Sequence, residues 1–171
     1  MTVFFLLLIW ARRPNDPASM PGQDAVSPRP VGFDLLGDFE VVLPRVIEDE
    51  QGLFVHADTP VLHHLPPAVR ALDGKRVNVS GFMQPITLNK GKVDEFLLLR
   101  DRDTCCFGGT PRVNHWIGVK MTTGATAARL GRPVSVTGRL AVREIRVEGV
   151  VVGLYTLEAE AVSDWPRDPS R

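Results

Sequence analysis

From Lys75 to Val162 one pattern recurs: short runs of aliphatic and β-branched residues alternate with polar ones, and each run ends at a turn-forming cluster. Such period-two alternation, bounded by glycine, proline and asparagine, predicts half-buried strands. The candidates are 76–83 (RVNVSGFM), 95–99 (EFLLL), 116–121 (WIGVKM), 133–142 (PVSVTGRLAV) and 149–162 (GVVVGLYTLEAEAV). Val77 and Val79 share one face of the first, and Gly81 interrupts it where a strand would bend sharply. The turn-rich TLNKGK joins the first two strands, and RVEG joins the last two. Between the third and fourth, the alanine-rich 124–131 (GATAARLG) reads as a short helix closed by glycine.

Five strands with a bend in the first and a helix after the third predict a mainly β fold. Its form is a small five-stranded OB-like Greek-key barrel with one or two short helices. A sandwich also fits several short strands, and the helix position favours the barrel. A chain of 171 residues with 44% hydrophobic content suits one such domain with extensions.

Upstream, 39–43 (FEVVL) and 53–56 (LFVH) are short strand candidates around the acidic turn Glu48-Asp49-Glu50. Pro66 and Pro67 suit a helix start and Gly74 the position past its end, so 67–72 reads as one or two helical turns. The folded domain is expected over 31–162. Residues 12–30, with five prolines and almost no large apolar side chain, read as an extended, disordered tether. Residues 163–171 read as a polar, frayed tail.

The first eleven residues hold an apolar run (TVFFLLLIWA) followed by Arg12 and Arg13. About ten residues fall short of the ~20 that span a bilayer. Three readings stand: a truncated signal or anchor, an interfacial segment, or a start at Met20. The first two place the protein outside the cytoplasm or on a membrane, with membrane association through this segment; the third makes it cytoplasmic.

Both cysteines, Cys105 and Cys106, stand side by side in the loop DRDTCCFGGTPRVNHW between two strand candidates. Adjacent thiols on a glycine-rich loop serve packing poorly, because neighbouring side chains point to opposite faces. Cys105, Cys106 and His115 form a candidate set for a soft ion, zinc or copper, since thiolate and imidazole suit both. Only three ligands are in hand, and C-x₂-C spacing is absent. His63 and His64 could add others or lie on the surface. Phe107, Gly108, Pro111, Asn114 and Trp116 make up the rest of the candidate binding loop. Thiol redox chemistry is the competing reading: Arg100, Arg102 and Arg112 flank the loop and would stabilise a thiolate. Hydrolysis by Cys106, His115 and Asn114 lacks any second signature. Nucleic acid is not expected as a partner: twenty basic residues balance twenty acidic ones, and aromatics make up only 7%.

The segment LDGKRVNVSGFMQP (72–85), EFLLL, the cysteine loop with Pro111, Asn114 and Trp116, GxLxV at 138–142 and LYxLEAxAV at 154–162 together resemble the DUF3299 family of bacterial proteins of unknown function. The likeness covers roughly 34–162. It implies an OB-like fold and, from members with export signals or lipoprotein anchors, an extracytoplasmic location. It implies no activity. Many relatives read C-I-H in the loop. Here Cys105 matches that cysteine and Asn114 a later asparagine, while Phe107 stands at the histidine's place, so no C-x-H metal pair carries over. The expectation is a non-enzymatic binding module handling a soft metal ion. A thiol-redox domain and a protein-interaction adaptor with incidental thiols are the alternatives.

Overall fold

The computed structural model describes residues 27–43, 46–48, 54–56, 60–102 and 111–165. In chain order the elements are β1 (Arg29–Val31), α1 (Phe33–Gly37), β2 (Val46–Glu48), β3 (Phe54–His56), a 3₁₀ turn (Val61–His64) and α2 (Pro67–Arg70). Then come β4 (Arg76–Pro85), β5 (Lys92–Val93), β6 (Glu95–Leu99), β7 (Trp116–Met121), β8 (Thr126–Ala127), β9 (Pro133–Val147) and β10 (Val150–Asp164). The apolar run 2–11, most of the tether, the turn at Asp49 and Glu50, and the tail beyond Trp165 lie outside the described residues.

Five strands close on themselves in the order β4-β6-β7-β10-β9, with β9 pairing back to β4. All neighbours are antiparallel except β7 and β10, which run parallel with Thr156 opposite Gly118. This is a small Greek-key barrel, as the alternation predicts. Val77, Val79, Phe96, Leu98, Ile117, Val119, Val136, Leu140 and Leu157 turn inward and are buried. The period-two residues thus meet across the ring, where burial of each large aliphatic side chain stabilises by about 1.5–3 kcal/mol.

Two expected elements are not there. Residues 124–131 form no helix. Instead β8 pairs antiparallel with β5, and the Ala128 N–H donates to the Gly91 carbonyl at 2.9 Å. An eight-residue helix is marginal on propensity alone, and a neighbouring strand edge supplies partners that it could not match. The barrel therefore rests on strand order rather than on a helix after the third strand. Residues 39–43 carry a strand-like sequence but are irregular. The closed ring offers them no edge, and the Phe39 carbonyl is taken by the Asn114 side chain.

β1 begins earlier than the expected start of the domain, at Arg29 rather than 31. It runs parallel to β4, with Val31 opposite Val79, beside the stretch of β4 that β6 does not reach. β6 pairs only with 82–85 of β4, just past Gly81. A Cβ there would stand 2.6 Å from the Leu99 carbonyl oxygen, so only glycine admits that crossing. At the other end of the chain, Ser163 and Asp164 continue β10 and pair with Ser135 and Val134.

The LDGK segment fastens α2 to the barrel. Asp73 Oδ1 accepts the Val142 N–H at 2.9 Å, the Gly74 N–H donates to Leu140 at 2.8 Å, and the Leu140 N–H donates to Lys75 at 2.9 Å. α1 is held from inside: the buried Tyr155 hydroxyl donates to the Leu36 carbonyl at 2.9 Å. Burial pushes that phenol's pKa far above its ordinary value of 10.0. The unfolded chain ionises near that value while the folded chain keeps the proton, so above about pH 10 stability falls as pH rises. Tyr155→Phe is expected to cost about 1 kcal/mol at neutral pH by orphaning the Leu36 carbonyl. It should also remove up to about 1.4 kcal/mol per pH unit of alkaline destabilisation. Tyr155 is the sole tyrosine, so absorbance titration alongside urea unfolding reads this directly. A phenol ionising normally in the folded protein would refute it.

Candidate functional site

The loop that carries the cysteines springs from the end of β6 and returns at the start of β7. The antiparallel ladder continues one pair past both strands, with the Arg100 N–H donating to the His115 carbonyl at 3.0 Å. On the returning root the His115 N–H closes a turn on the Arg112 carbonyl at 2.9 Å.

Asn114 lies at the returning root and is only 2% exposed. Its side-chain amide donates to the Gly37 carbonyl at 3.2 Å and to the Phe39 carbonyl at 3.0 Å. One buried side chain thereby ties the segment after α1 to the loop root. The neighbouring ion pair, Arg100 Nη1 to Asp38 Oδ1 at 2.6 Å, spans the same junction. Between these parts opens a cleft of about 1060 Å³, walled by Gly37–Val41 and Leu43 on one side and by Arg100, Asp101 and Pro111–His115 on the other. Arg100 also borders a smaller groove of about 490 Å³ that includes Phe33, Asn78 and Trp165.

His115 is half-buried and lines the cleft. Its Nε2 lies 3.3 Å from the Gly37 carbonyl and 3.4 Å from Arg100 Nη1. A carbonyl can only accept and a guanidinium can only donate, so the two contacts favour opposite tautomers. In the tautomer that donates from Nε2 to Gly37, the lone pair lies on Nδ1. Imidazoles that bind metals are commonly oriented in this way, by a backbone carbonyl behind the ligating ring.

Of the sequence-predicted site residues, Pro111, Asn114 and His115 meet in this cleft. Trp116 does not line it. Trp116 is the first residue of β7, 5% exposed, and its indole N–H donates to the Val152 carbonyl at 3.1 Å. Its ring presses on Gly153, where a Cβ would stand 2.3 Å from Cζ2. Cys105, Cys106, Phe107 and Gly108 lie outside the described residues. His63 and His64 are exposed on the 3₁₀ turn and do not line the cleft. Among the described residues no three histidine, cysteine or acidic side chains converge as metal ligands.

Of the arginines that flank the loop, Arg100 is paired with Asp38. Sequence reasoning missed the wall 37–43 altogether. The one signal in the chain was an asparagine beside a loop histidine, a residue type that seeks several hydrogen-bond partners when buried.

The chain resembles a crystal structure of a DUF3299 family protein from Pseudomonas aeruginosa, with a TM-score of 0.57 over 84% of this chain and 99% of that one. At 23% identity that likeness bears on the fold alone. No curated protein matches the chain. The profile of the family described as "Protein of unknown function (DUF3299)" matches residues 50–164, more than half of the chain and the whole five-stranded ring. The chain therefore belongs to the DUF3299 family.

Proposed function

We propose that this protein is a non-enzymatic binding module that takes up a soft metal ion, zinc or copper, at the cleft beneath its cysteine loop. The supporting observation is that both roots of that loop, Asp101 and Pro111, and the carbonyl-oriented His115 line one cleft. His115 would supply an imidazole nitrogen, and Cys105 and Cys106 would supply thiolates from the intervening loop. Three soft ligands fall one short of a closed tetrahedral zinc site. That shortfall suits an ion held with an open position, for presentation or transfer to a partner protein. The apolar run 2–11 would hold the module at a membrane or outside the cytoplasm; no described helix is itself long and apolar enough to cross a membrane.

Elemental analysis of the purified full chain tests this reading, together with thiol titration before and after chelation. One equivalent of zinc or copper is expected, lost in Cys105→Ser. His115→Gln should weaken affinity by roughly ten-fold or more in competition with a chromophoric chelator. A metal-free protein whose two thiols form a reversible intramolecular disulfide overturns the metal reading in favour of redox chemistry. Inert thiols and no metal leave an interaction adaptor.

A further inference from the structure

A second surface lies where β4 ends and β9 begins. These antiparallel neighbours pair Phe82 with Pro133, so the loops 86–91 and 128–132 emerge on the same side of the barrel. The loops are fastened to each other. Lys92 of β5 pairs with Ala127 of β8, Ala128 donates to Gly91 at 2.9 Å, and the Arg129 N–H reaches Met83 Sδ at 3.4 Å. The first loop is a tight turn: Asn89 and Lys92 exchange both backbone hydrogen bonds at 2.9 Å, with Lys90 and Gly91 at φ 48° and 76°. Two left-handed residues in a row make a type I′ turn, whose shape is set by its backbone.

These fastened loops display large apolar side chains. Leu88 is 52% exposed and Leu130 60%. Trp165, 47% exposed, is fixed at the start of β9 by its backbone N–H, which donates to the Pro133 carbonyl at 3.3 Å, and it also lines the smaller groove with Phe33 and Asn78. Of the five large hydrophobic residues exposed among the described residues, these are three; Val42 and Leu43 are near the cleft.

The charge here departs from that of the whole chain, in which acids and bases cancel. Neither 86–93 nor 124–133 contains an acidic residue, and together they carry Lys90, Lys92, Arg129 and Arg132. Arg129 is paired with Asp164. Lys90, Lys92 and Arg132 are exposed and make no ion pair among the described residues. The exposed Asp94 adjoins them and offsets one charge.

A protein partner would be met by a continuous apolar patch or groove. Here single leucines stand on separate loops, each next to cations in the chain, with the exposed Trp165 held at the start of β9. A bilayer interface rewards that arrangement: apolar tips enter the headgroup–acyl boundary, an indole sits at headgroup depth, and lysine and arginine meet lipid phosphates. We infer that this side of the barrel docks on an anionic lipid surface through Leu88, Leu130 and Trp165, with Lys90, Lys92 and Arg132 on the headgroups. A single lipid-directed signal holds a protein on a membrane only marginally, and a basic second contact makes attachment stable. The inference does not depend on whether the cleft binds metal.

Co-sedimentation of the full chain with vesicles of phosphatidylcholine alone, and of phosphatidylglycerol mixed with phosphatidylcholine, is the test. Stronger, salt-sensitive binding to the mixed vesicles is expected. Lys90→Gln, Lys92→Gln and Arg132→Gln combined should weaken it by roughly a hundred-fold. Leu88→Ser with Leu130→Ser should weaken it by roughly ten-fold or more. Both variants should keep the parent's circular dichroism and melting temperature, since all five side chains are exposed. Equal binding to both vesicle types would assign attachment to the apolar run 2–11 and overturn the inference. Variants that bind the mixed vesicles as the parent does would overturn it too, as would a rim that cross-links to a second copy instead of meeting lipid.

Discussion

Trp116→Ala is expected to lower stability by about 3–5 kcal/mol, a large share of the ~5–15 kcal/mol that holds a typical domain folded. The indole fills a small cluster with Leu99 and Ile145, apart from the main core. Its ring lies on Gly153, which leaves room for nothing larger. Alanine would leave a cavity that strands closed into a ring cannot collapse to fill, and would orphan the Val152 carbonyl. Equilibrium urea unfolding followed by far-ultraviolet circular dichroism measures the loss. A value below about 1 kcal/mol would mean that the indole packs more loosely than its burial implies. Trp116→Phe keeps a ring in the cluster and should recover more than half of the stability. Because Trp116 opens β7 directly after the loop root, its packing sets where His115 and Asn114 stand.

Asn114→Ala is expected to cost about 1–3 kcal/mol, since the Phe39 carbonyl loses its donor while the Gly37 carbonyl keeps only the longer contact with His115 Nε2 at 3.3 Å. The damage should be local. Amide exchange should quicken across 33–41 while β9 and β10 keep their protection, because α1 would then depend on the Tyr155 hydroxyl, on His115 at the Gly37 carbonyl and on Arg100 with Asp38. Asn114→Asp is the stricter test. It has nearly the same shape, but an ionised carboxylate only accepts hydrogen bonds and would face two carbonyl oxygens. It should be at least as destabilising as alanine at neutral pH and partly relieved in acid, where the protonated group can donate. If Asp is tolerated as well as Asn, the amide does not fasten the wall.

Much of the barrel was legible because its strands bury one face and wet the other. Val77 and Val79, Leu98, Val136 and Leu140 announce that periodicity in any short window, and the RVEG turn links β9 and β10 as read. The misreadings share one cause. Residues 39–43 are rich in valine like a strand and 124–131 are rich in alanine like a helix. Each expectation was local, and each was decided by which hydrogen-bond partners the assembled ring left available.

The site divides in the same way. Residues 111–116 were marked by composition, and the structure gathers Pro111, Asn114 and His115 in one cleft while sending Trp116 into packing. The opposite wall, Gly37 to Leu43, lies some seventy residues earlier in the chain, and no spacing rule joins Asp38 to Arg100 or Gly37 to His115. The amino-acid order by itself determined strand periodicity, the turns and the place of the sulfur-bearing loop, because these depend on alternation and on backbone preferences of a few neighbouring residues. Only the tertiary structure decided the wall that faces that loop, the ring nitrogen that the Gly37 carbonyl engages and the side on which the cationic loops meet. Those depend on contacts between segments far apart in sequence, where closure of the ring selects the partner.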